Sequence, residues 1–398
     1  MTKTPQHNVP ELRFPEFEGE WNILKLNEVL LDKTEGIKRG PFGGALKKEI
    51  FVNEGYAIYE QRNAIYDNQE FRYYINKDKY EEMKSFEVQP GDLIMSCSGT
   101  IGKLSKIPKD YKKGIINQAL IRFRTKSNIL SQYFLFYMRS NIMQRKILEV
   151  NPGSAITNLI PVKELKNLCF PLPNLNEQEK IGTFFSKLDR QIELEEKKLE
   201  LLEQQKKGYM QKIFSQELRF KDENGNEYPK WEETTIEKTT KYSSSKKSSN
   251  QYTESNDSEG YPVYDAIQEI GKDLQYDMKE PYISILKDGA GVGRLNLRAG
   301  QSSVIGTMGY LQPNNVDLQF LYYKMNMLNF KKYVIGSTIP HLYYKDYSKE
   351  KIQIPSSFEE QKKIGHFILN IDKMIEIKTF KIDYLKQRKQ GLLQKMFI

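Results

Sequence analysis

Apolar residues recur at alternating steps of four and three along two long stretches of the chain. In the first they fall at Ile181, Phe185, Leu188, Ile192, Leu199, Leu202, Tyr209 and Ile213, and in the second at Ile364, Ile368, Ile371, Ile375, Ile382, Leu385, Leu392 and Met396. A mean spacing of about 3.5 residues draws a narrow stripe along one helix side, which is a coiled-coil seam rather than the face of an ordinary surface helix. Glu195 and Lys206 interrupt the first stripe, and Lys378 and Lys389 the second. Asn174 with Glu177, and Ser357 with Glu360, have the spacing of a capping box, in which cap oxygen and carboxylate each satisfy a free amide. The pattern predicts two helices of roughly 38 residues, about 57 Å long at about 1.5 Å per residue.

The two stretches are copies. Adding 183 to a position in 171–214 gives its counterpart, so that Glu177, Gln178, Gly182, Asp189, Gly208 and Phe214 become Glu360, Gln361, Gly365, Asp372, Gly391 and Phe397. The repeat extends beyond the helix, because ELRF at 11–14, leading to Trp21, returns at 217–220, leading to Trp231. The repeat unit therefore runs from ELRF through a globular region to the end of a long helix, and it occurs twice. Two equivalent helices in one chain are expected to pair with each other.

Before each helix the pattern changes. GYAIYEQRNAIY (55–66) is aromatic and β-branched, and GDLIMSCSGTIGKLSKIP (91–108) reads as strand, glycine turn and strand. In INQALIRFRTK, Ile121 and Phe123 alternate with Arg122 and Arg124, which predicts one buried face and two arginines on the other. Residues 130–149 have helical length and spacing, and GSAITNL (153–159) is a small-residue loop before a last strand at 167–171. The second region repeats this programme: GYPVY (260–264) answers GYAIY, KDGAGVGRL (287–295) replaces the first glycine turn, FLYY (320–323) answers FLFY, and GSTIPHL (336–342) answers GSAITNL. Residues 238–258 read as a solvated loop.

Composition narrows the function. The 398 residues suffice for two or three domains, no run of 18 apolar residues offers a membrane span, and the N-terminus lacks an apolar signal region. Two cysteines and three histidines form no zinc spacing or disulfide framework, which points to a cytoplasmic, metal-free protein. A net charge of +9 favours a polyanionic partner. GTIGK (99–103) lacks the earlier glycine and the following hydroxyl of a phosphate loop, and GAGVG (289–293) lacks dinucleotide spacing. No adenine-methyltransferase loop, nuclease carboxylate set or paired nucleophile is present, so the chain is expected to do no covalent chemistry. Two similar heads on a long spacer suit a split DNA target, with half-sites about 34 Å apart per helical turn.

ELRFPEFEGEW, PLPNLNEQEKIGTFFSKLDRQI, EEQKKIGHFILNIDKMI and the final KQGLLQKMF resemble the specificity subunit of Type I restriction-modification systems, over essentially the whole chain. The resemblance implies an α+β fold of two mixed α/β target recognition domains in pseudo-twofold arrangement, separated by two long helices forming an antiparallel coiled coil. The corresponding boundaries are 1–170 and 217–355 for the recognition domains, and 171–216 and 356–398 for the helical spacers. It implies a non-catalytic subunit that reads bipartite double-stranded DNA and docks two modification subunits together with restriction subunits. S-adenosylmethionine, ATP and magnesium would bind those partners, with no cofactor in this chain. The second head is shorter and follows the family pattern less closely.

Polar side chains reaching base edges would carry specificity, and phosphate contacts would fix register. The first-head candidates are Lys38 and Arg39 beside the GPFGG turn, Gln61, Arg62, Asn63, Thr100, Lys103, Asn117, Gln118, Arg122, Arg124, Ser154, Thr157 and Asn158. Those of the second head are Lys287, Arg294, Ser302, Ser303, Thr307, Ser337, Thr338, His341, Tyr343, Tyr344 and Lys345. Each could instead be a solvated or turn-forming residue. A coiled-coil scaffold with duplicated adaptor domains would differ in lacking salt-dependent DNA binding. An enzyme with an unfamiliar site would turn over a substrate unaided.

Overall fold

The structure is a computed structural model describing residues 8–32, 35–42, 44–150, 157–159, 161–252 and 259–398. The chain divides into two compact units, Met1–Glu196 with Lys381–Ile398, and Lys197–Phe380. The helices that frame these units include α1 (Gln61–Tyr66), α2 (Ser131–Arg139), α3 (Leu175–Phe214), α4 (Leu318–Asn326) and α5 (Phe358–Lys395).

The main strands of the first unit are β1 (Asn22–Lys25), β2 (Ile37–Arg39), β3 (Tyr56–Tyr59), β4 (Leu93–Ser96), β5 (Leu104–Lys106), β6 (Gly114–Ile116), β7 (Leu120–Phe123) and β8 (Cys169–Leu172). An antiparallel sheet in the order β2-β7-β4-β5 shares a core with α2, and β3 pairs in parallel with β6 in a second sheet. The pair β1–β8 leads into α3.

In the second unit the main strands are β9 (Trp231–Thr235), β10 (Thr240–Ser244), β11 (Tyr261–Tyr264), β12 (Tyr282–Leu286), β13 (Leu295–Arg298), β14 (Ser303–Val304), β15 (Met308–Pro313) and β16 (Lys351–Pro355). The sheet order is β10-β15-β12-β13, β11 runs parallel to β14, and β9 pairs with β16 ahead of α5. Each strand is the counterpart of the one eight numbers earlier. The helix expected over 130–149 is broken: α2 ends at Arg139, and Ser140, with extended backbone, caps a second helix, Asn141–Ile147, its side-chain Oγ accepting the Met143 amide at 3.3 Å.

The paired ELRF and Glu-Gln motifs meet in space. Asn174 and Ser357 accept the amides of Glu177 and Glu360, which is half of each expected capping box. The glutamates turn instead to the ELRF arginines. Arg13 grips Glu177 at 2.7 and 2.8 Å, and Arg219 grips Glu360 at 3.1 and 2.7 Å, with both carboxylates fully buried. A buried carboxylate needs such a fork to offset its lost hydration. The neighbouring glutamines accept the backbone amides of Leu130 and Asp317 at the starts of α2 and α4. The repeated Ile-Gly lets these helices close, since a Cβ on Gly365 would lie 2.7 Å from the Phe320 nitrogen.

Within each unit α3 and α5 run antiparallel, and their polar interruptions are paired. In the first unit Leu188, Ile192 and Leu385 share a buried cluster, Glu195 meets Lys381 at 3.0 Å, and Asp189 meets Lys389. In the second, Lys206 meets Asp372 at 2.5 Å, and the Tyr323 hydroxyl donates to the same carboxylate at 2.6 Å. Tyr209, expected in the seam, is 40% exposed and packs edge-on against Phe367, while Met210 faces the core. The last turns of α5 complete the first unit, where the Leu12 amide bonds the Lys395 carbonyl at 2.9 Å. In the second unit the Leu218 amide bonds the Lys212 carbonyl at 3.0 Å, the same contact made by the end of α3.

Candidate nucleic-acid interface

In each unit the sheet topology brings several strand ends to one edge. In the first, β2, β3, β4 and β6 end there, and β5 and β7 begin there. The loops are tied by backbone bonds: Gly40 N to Leu120 O (2.9 Å), Cys97 N to Ala119 O (2.9 Å), Asn117 N to Tyr59 O (2.9 Å) and Gly102 N to Ser96 O (2.8 Å). The second unit repeats three of these, Lys287 N to Thr307 O (2.9 Å), Ile305 N to Tyr264 O (3.1 Å) and Gly293 N to Leu286 O (2.8 Å). Gly102 and Gly293 sit at φ +80° and +89°, which favours glycine, so the two glycine turns are one device. Directly after them Lys103 and Arg294 take the same place, both exposed.

Arg39, Thr100, Lys103 and Gln118 are exposed on the first edge, and Lys38, Gln61, Arg62 and Asn117 are half-buried. Gln61, Arg62 and Asn117 line a cleft of about 410 Å³ with Glu60, Arg72, Ser98 and Ala119. Glu60 holds Arg72 bidentately at 2.9 and 2.7 Å, raising the guanidinium pKa, while Arg62 pairs with Glu70 at 2.7 Å. Burial raises the Cys97 thiol pKa, and the neighbouring Arg39 guanidinium opposes that rise. Lys38 leans toward the Phe86 ring at 5.1 Å. Amides at Gln61, Asn117 and Gln118 suit adenine edges, whereas free cations suit guanine or phosphate.

On the second edge Asp288 bridges two candidates, Lys287 at 2.5 Å and His341 Nδ1 at 2.7 Å. Burial works against that carboxylate, but Lys287 and His341 together lower its pKa. The Tyr343 ring is stacked at 6.1 Å from His341, and Lys345 lies 5.6 Å from the Tyr343 centroid. Arg294, Thr307, Ser337, Thr338, Tyr343 and Lys345 are exposed. Tyr344 instead turns to the framework, stacking on Tyr242 at 4.5 Å with its hydroxyl 2.9 Å from Thr240.

Five candidates belong to the interior. The strand β7 is covered on both faces, one by the core around Phe134 and the other by the core around Ile94, so Arg122 and Arg124 do not face solvent as alternation suggested. Arg122 is fully buried, its pKa lowered by burial, and it bonds the Glu35 carboxylate at 3.1 Å and the Glu87 carbonyl. Arg124 forks onto Asp92 at 2.8 Å. Asn63 is buried and caps α1, accepting the Glu60 amide at 2.8 Å. Ser302 and Ser303 are fully buried, the first against Tyr282 at 3.0 Å and the second accepting the Asp277 amide at 2.9 Å. Ser154 lies outside the described residues. Thr157 and Asn158 fall in the strand Thr157–Leu159, paired with Leu148–Val150.

Sequence reasoning passed over Arg72, Ser98, Asp288 and the exposed Phe42 and Ile267. Phe42 carried a signal, an aromatic alone among glycines in GPFGG, whereas Arg72 is identified only by its fold onto Glu60. Among the described residues no group of three or more His, Cys, Asp or Glu could hold a metal, and no helix is long and apolar enough to cross a membrane.

One frame repeated within a chain, each copy ending in an edge of polar loops, defines a duplicated recognition subunit. The chain belongs to the Type I restriction-modification DNA specificity family, whose domain model matches residues 20–204 and again 228–387. It is 26% identical to the Type I restriction enzyme MjaVIII specificity subunit of Methanocaldococcus jannaschii, over 71% of this chain and 73% of the relative. It is 25% identical, over 98% of this chain and 95% of the other, to a protein of that organism bearing the name of the MjaX specificity subunit. Its fold matches the S subunit of a Type I system from M. genitalium, with TM-score 0.65, 19% identity and coverage of 98% and 99%. A second structure, from work on complex assembly and conformational transition of the Type I system, matches at TM-score 0.53 and 16% identity, covering 95% and 97%.

Proposed function

We propose that each unit reads one half of a bipartite DNA target and that the paired helices set the gap and dock modification subunits. The carrying observation is the repeated edge. The same strand ends, glycine turn and following cation occur in both units, while the side chains around them differ. One chain then presents two dissimilar readers on one frame. The chain does no chemistry itself; S-adenosylmethionine, ATP and magnesium belong to modification and restriction subunits in the cytoplasm. Docking is supported by Met374, Ile377 and Phe380 on α5, which are 55%, 68% and 74% exposed at helical spacing.

The test is to co-express the chain with an adenine modification subunit and map methylated adenines across a genome. A split motif with a fixed gap, of which swapping residues 22–170 changes one block, supports the reading. A single continuous motif, or none, refutes it. Adding one heptad to each helix should widen the gap by about 10 Å, or about 3 bp.

A further inference from the structure

The segment KRGPFGGALKK, Lys38 to Lys48, places one phenylalanine among four cations with no carboxylate between them. Phe42 is 87% exposed, the most exposed large hydrophobic side chain among the described residues. It is also anchored. Gly40 is pressed onto the next loop so closely that a Cβ would fall 1.8 Å from the Asn117 carbonyl oxygen, and its amide bonds the Leu120 carbonyl at 2.9 Å. Pro41 is buried, and beyond the ring the Ala45 amide bonds the Phe42 carbonyl at 3.2 Å. The ring therefore projects from a fixed base on the edge that carries Arg39 and Gln118.

We propose that Phe42 is a wedge that enters the duplex at the first half-site and stacks against a base step. This rests on the reading of the first unit as a DNA reader. An apolar ring bracketed by cations fits a partner with anionic rails and a stacked apolar interior. Apolar wedges that partly unstack a base step are an established way to kink DNA, with flanking cations held on phosphates. The second unit carries no ring at the matching place, because β10 is followed by Ser245, Lys246 and Lys247. The wedge thus distinguishes one head from the other.

The experiment uses the full chain in complex with its modification subunits. Once the target is mapped by methylation, duplexes carry 2-aminopurine at successive positions of the first half-site, excluding the methylated adenine. The wild-type complex should raise fluorescence at one step. Phe42→Ala should abolish that rise and weaken target binding by about tenfold, the scale of one lost base–aromatic stack, with thermal melting unchanged. Phe42→Leu should restore part of both. Equal fluorescence in wild type and Phe42→Ala overturns the wedge. So does a loss of binding reproduced by replacing a target thymine with uracil, which would mark a groove contact with the methyl group. If Arg39→Ala and Gln118→Ala weaken target binding while Phe42→Ala does not, the wedge alone fails. If the wild-type complex does not prefer its target, the two-headed reading fails with it.

Discussion

The two heads share a backbone and differ in what they hang on it. At equivalent points of the central strand stand Arg122 in β7 and Tyr310 in β15, opposite Ile94 and Ser284. Both are buried, yet Arg122 needs Glu35 and two carbonyls, whereas Tyr310 donates to Asp277 at 2.5 Å and accepts the Val304 amide at 3.0 Å. At the edge, Gln61 and Arg62 of the first head correspond to Ala266 and Ile267 of the second, and Ser98 corresponds to Asp288. The frame rests on backbone bonds and glycines, which sequence divergence leaves alone. The proposed readout rests on loop side chains, which it does not.

The largest expected effect tests the buried pair. Arg122→Ala should destabilise the first unit by about 2–5 kcal/mol, because it leaves a cavity where a large, fully buried side chain stood, even though Arg124 keeps its own bonds to the Glu35 carboxylate and the Glu87 carbonyl. Tyr310→Phe should cost the second unit only about 1–2 kcal/mol, since a neutral hydroxyl is lost without leaving a buried charge behind. Denaturant unfolding of each variant checks both. Similar losses would mean that the two frames bear their buried polar groups alike.

Next come the proposed base contacts. The double variant Gln61→Ala, Asn117→Ala should cost about 1–3 kcal/mol per contact and relax only the first half-site. His341→Ala should relax only the second. Competition binding against half-site variants separates the two, and crossed effects would deny the heads their independence. Lys103→Ala and Arg294→Ala remove cations from one shared position. If both meet phosphate, each should lower the slope of log affinity against log salt by about 0.9. Unequal slopes would mean that the shared place has been put to different use.

Much of this comparison was legible in the sequence, because repetition doubles every signal. The offset of 183 marked the long helices, and the echoed ELRF and Glu-Gln motifs marked both ends of an ion pair that only the fold brings together. Alternation failed at Arg122 because it assumes a strand with one wet face, whereas β7 is sandwiched. It is the companionship of Glu35 and Asp92, distant in sequence, that allows two arginines inside. Ser302 and Ser303 misled for a related reason, since small hydroxyls are common in turns and equally able to satisfy a buried amide. Exposure of Phe42 could not be read from apolarity at all.

The smallest effect concerns the segments after β2 and β10. In the first head Gly40 fixes that segment, while in the second Lys247 ties it to Asp273. The Lys247 ammonium lies 2.5 Å from the carboxylate, the Gln275 amide donates to it at 3.1 Å, and the Tyr252 hydroxyl at 2.8 Å. Led by Lys247, and against some burial, these donors hold the Asp273 pKa at about 2, below its usual 3.8. A depressed carboxylate stabilises the folded state fully above the unfolded value, and the contribution fades as the pH falls through the folded one. The stability gap between wild type and Asp273→Asn should therefore be constant above about pH 4 and close as the pH approaches about 2. Denaturant unfolding at stepped pH measures it. The gap should be modest, because the carboxylate is partly exposed and solvent screens the pair. A gap that widened in acid would show that Lys247 does not tether the segment, and Lys247 would join Lys246 as a cation available to the second half-site.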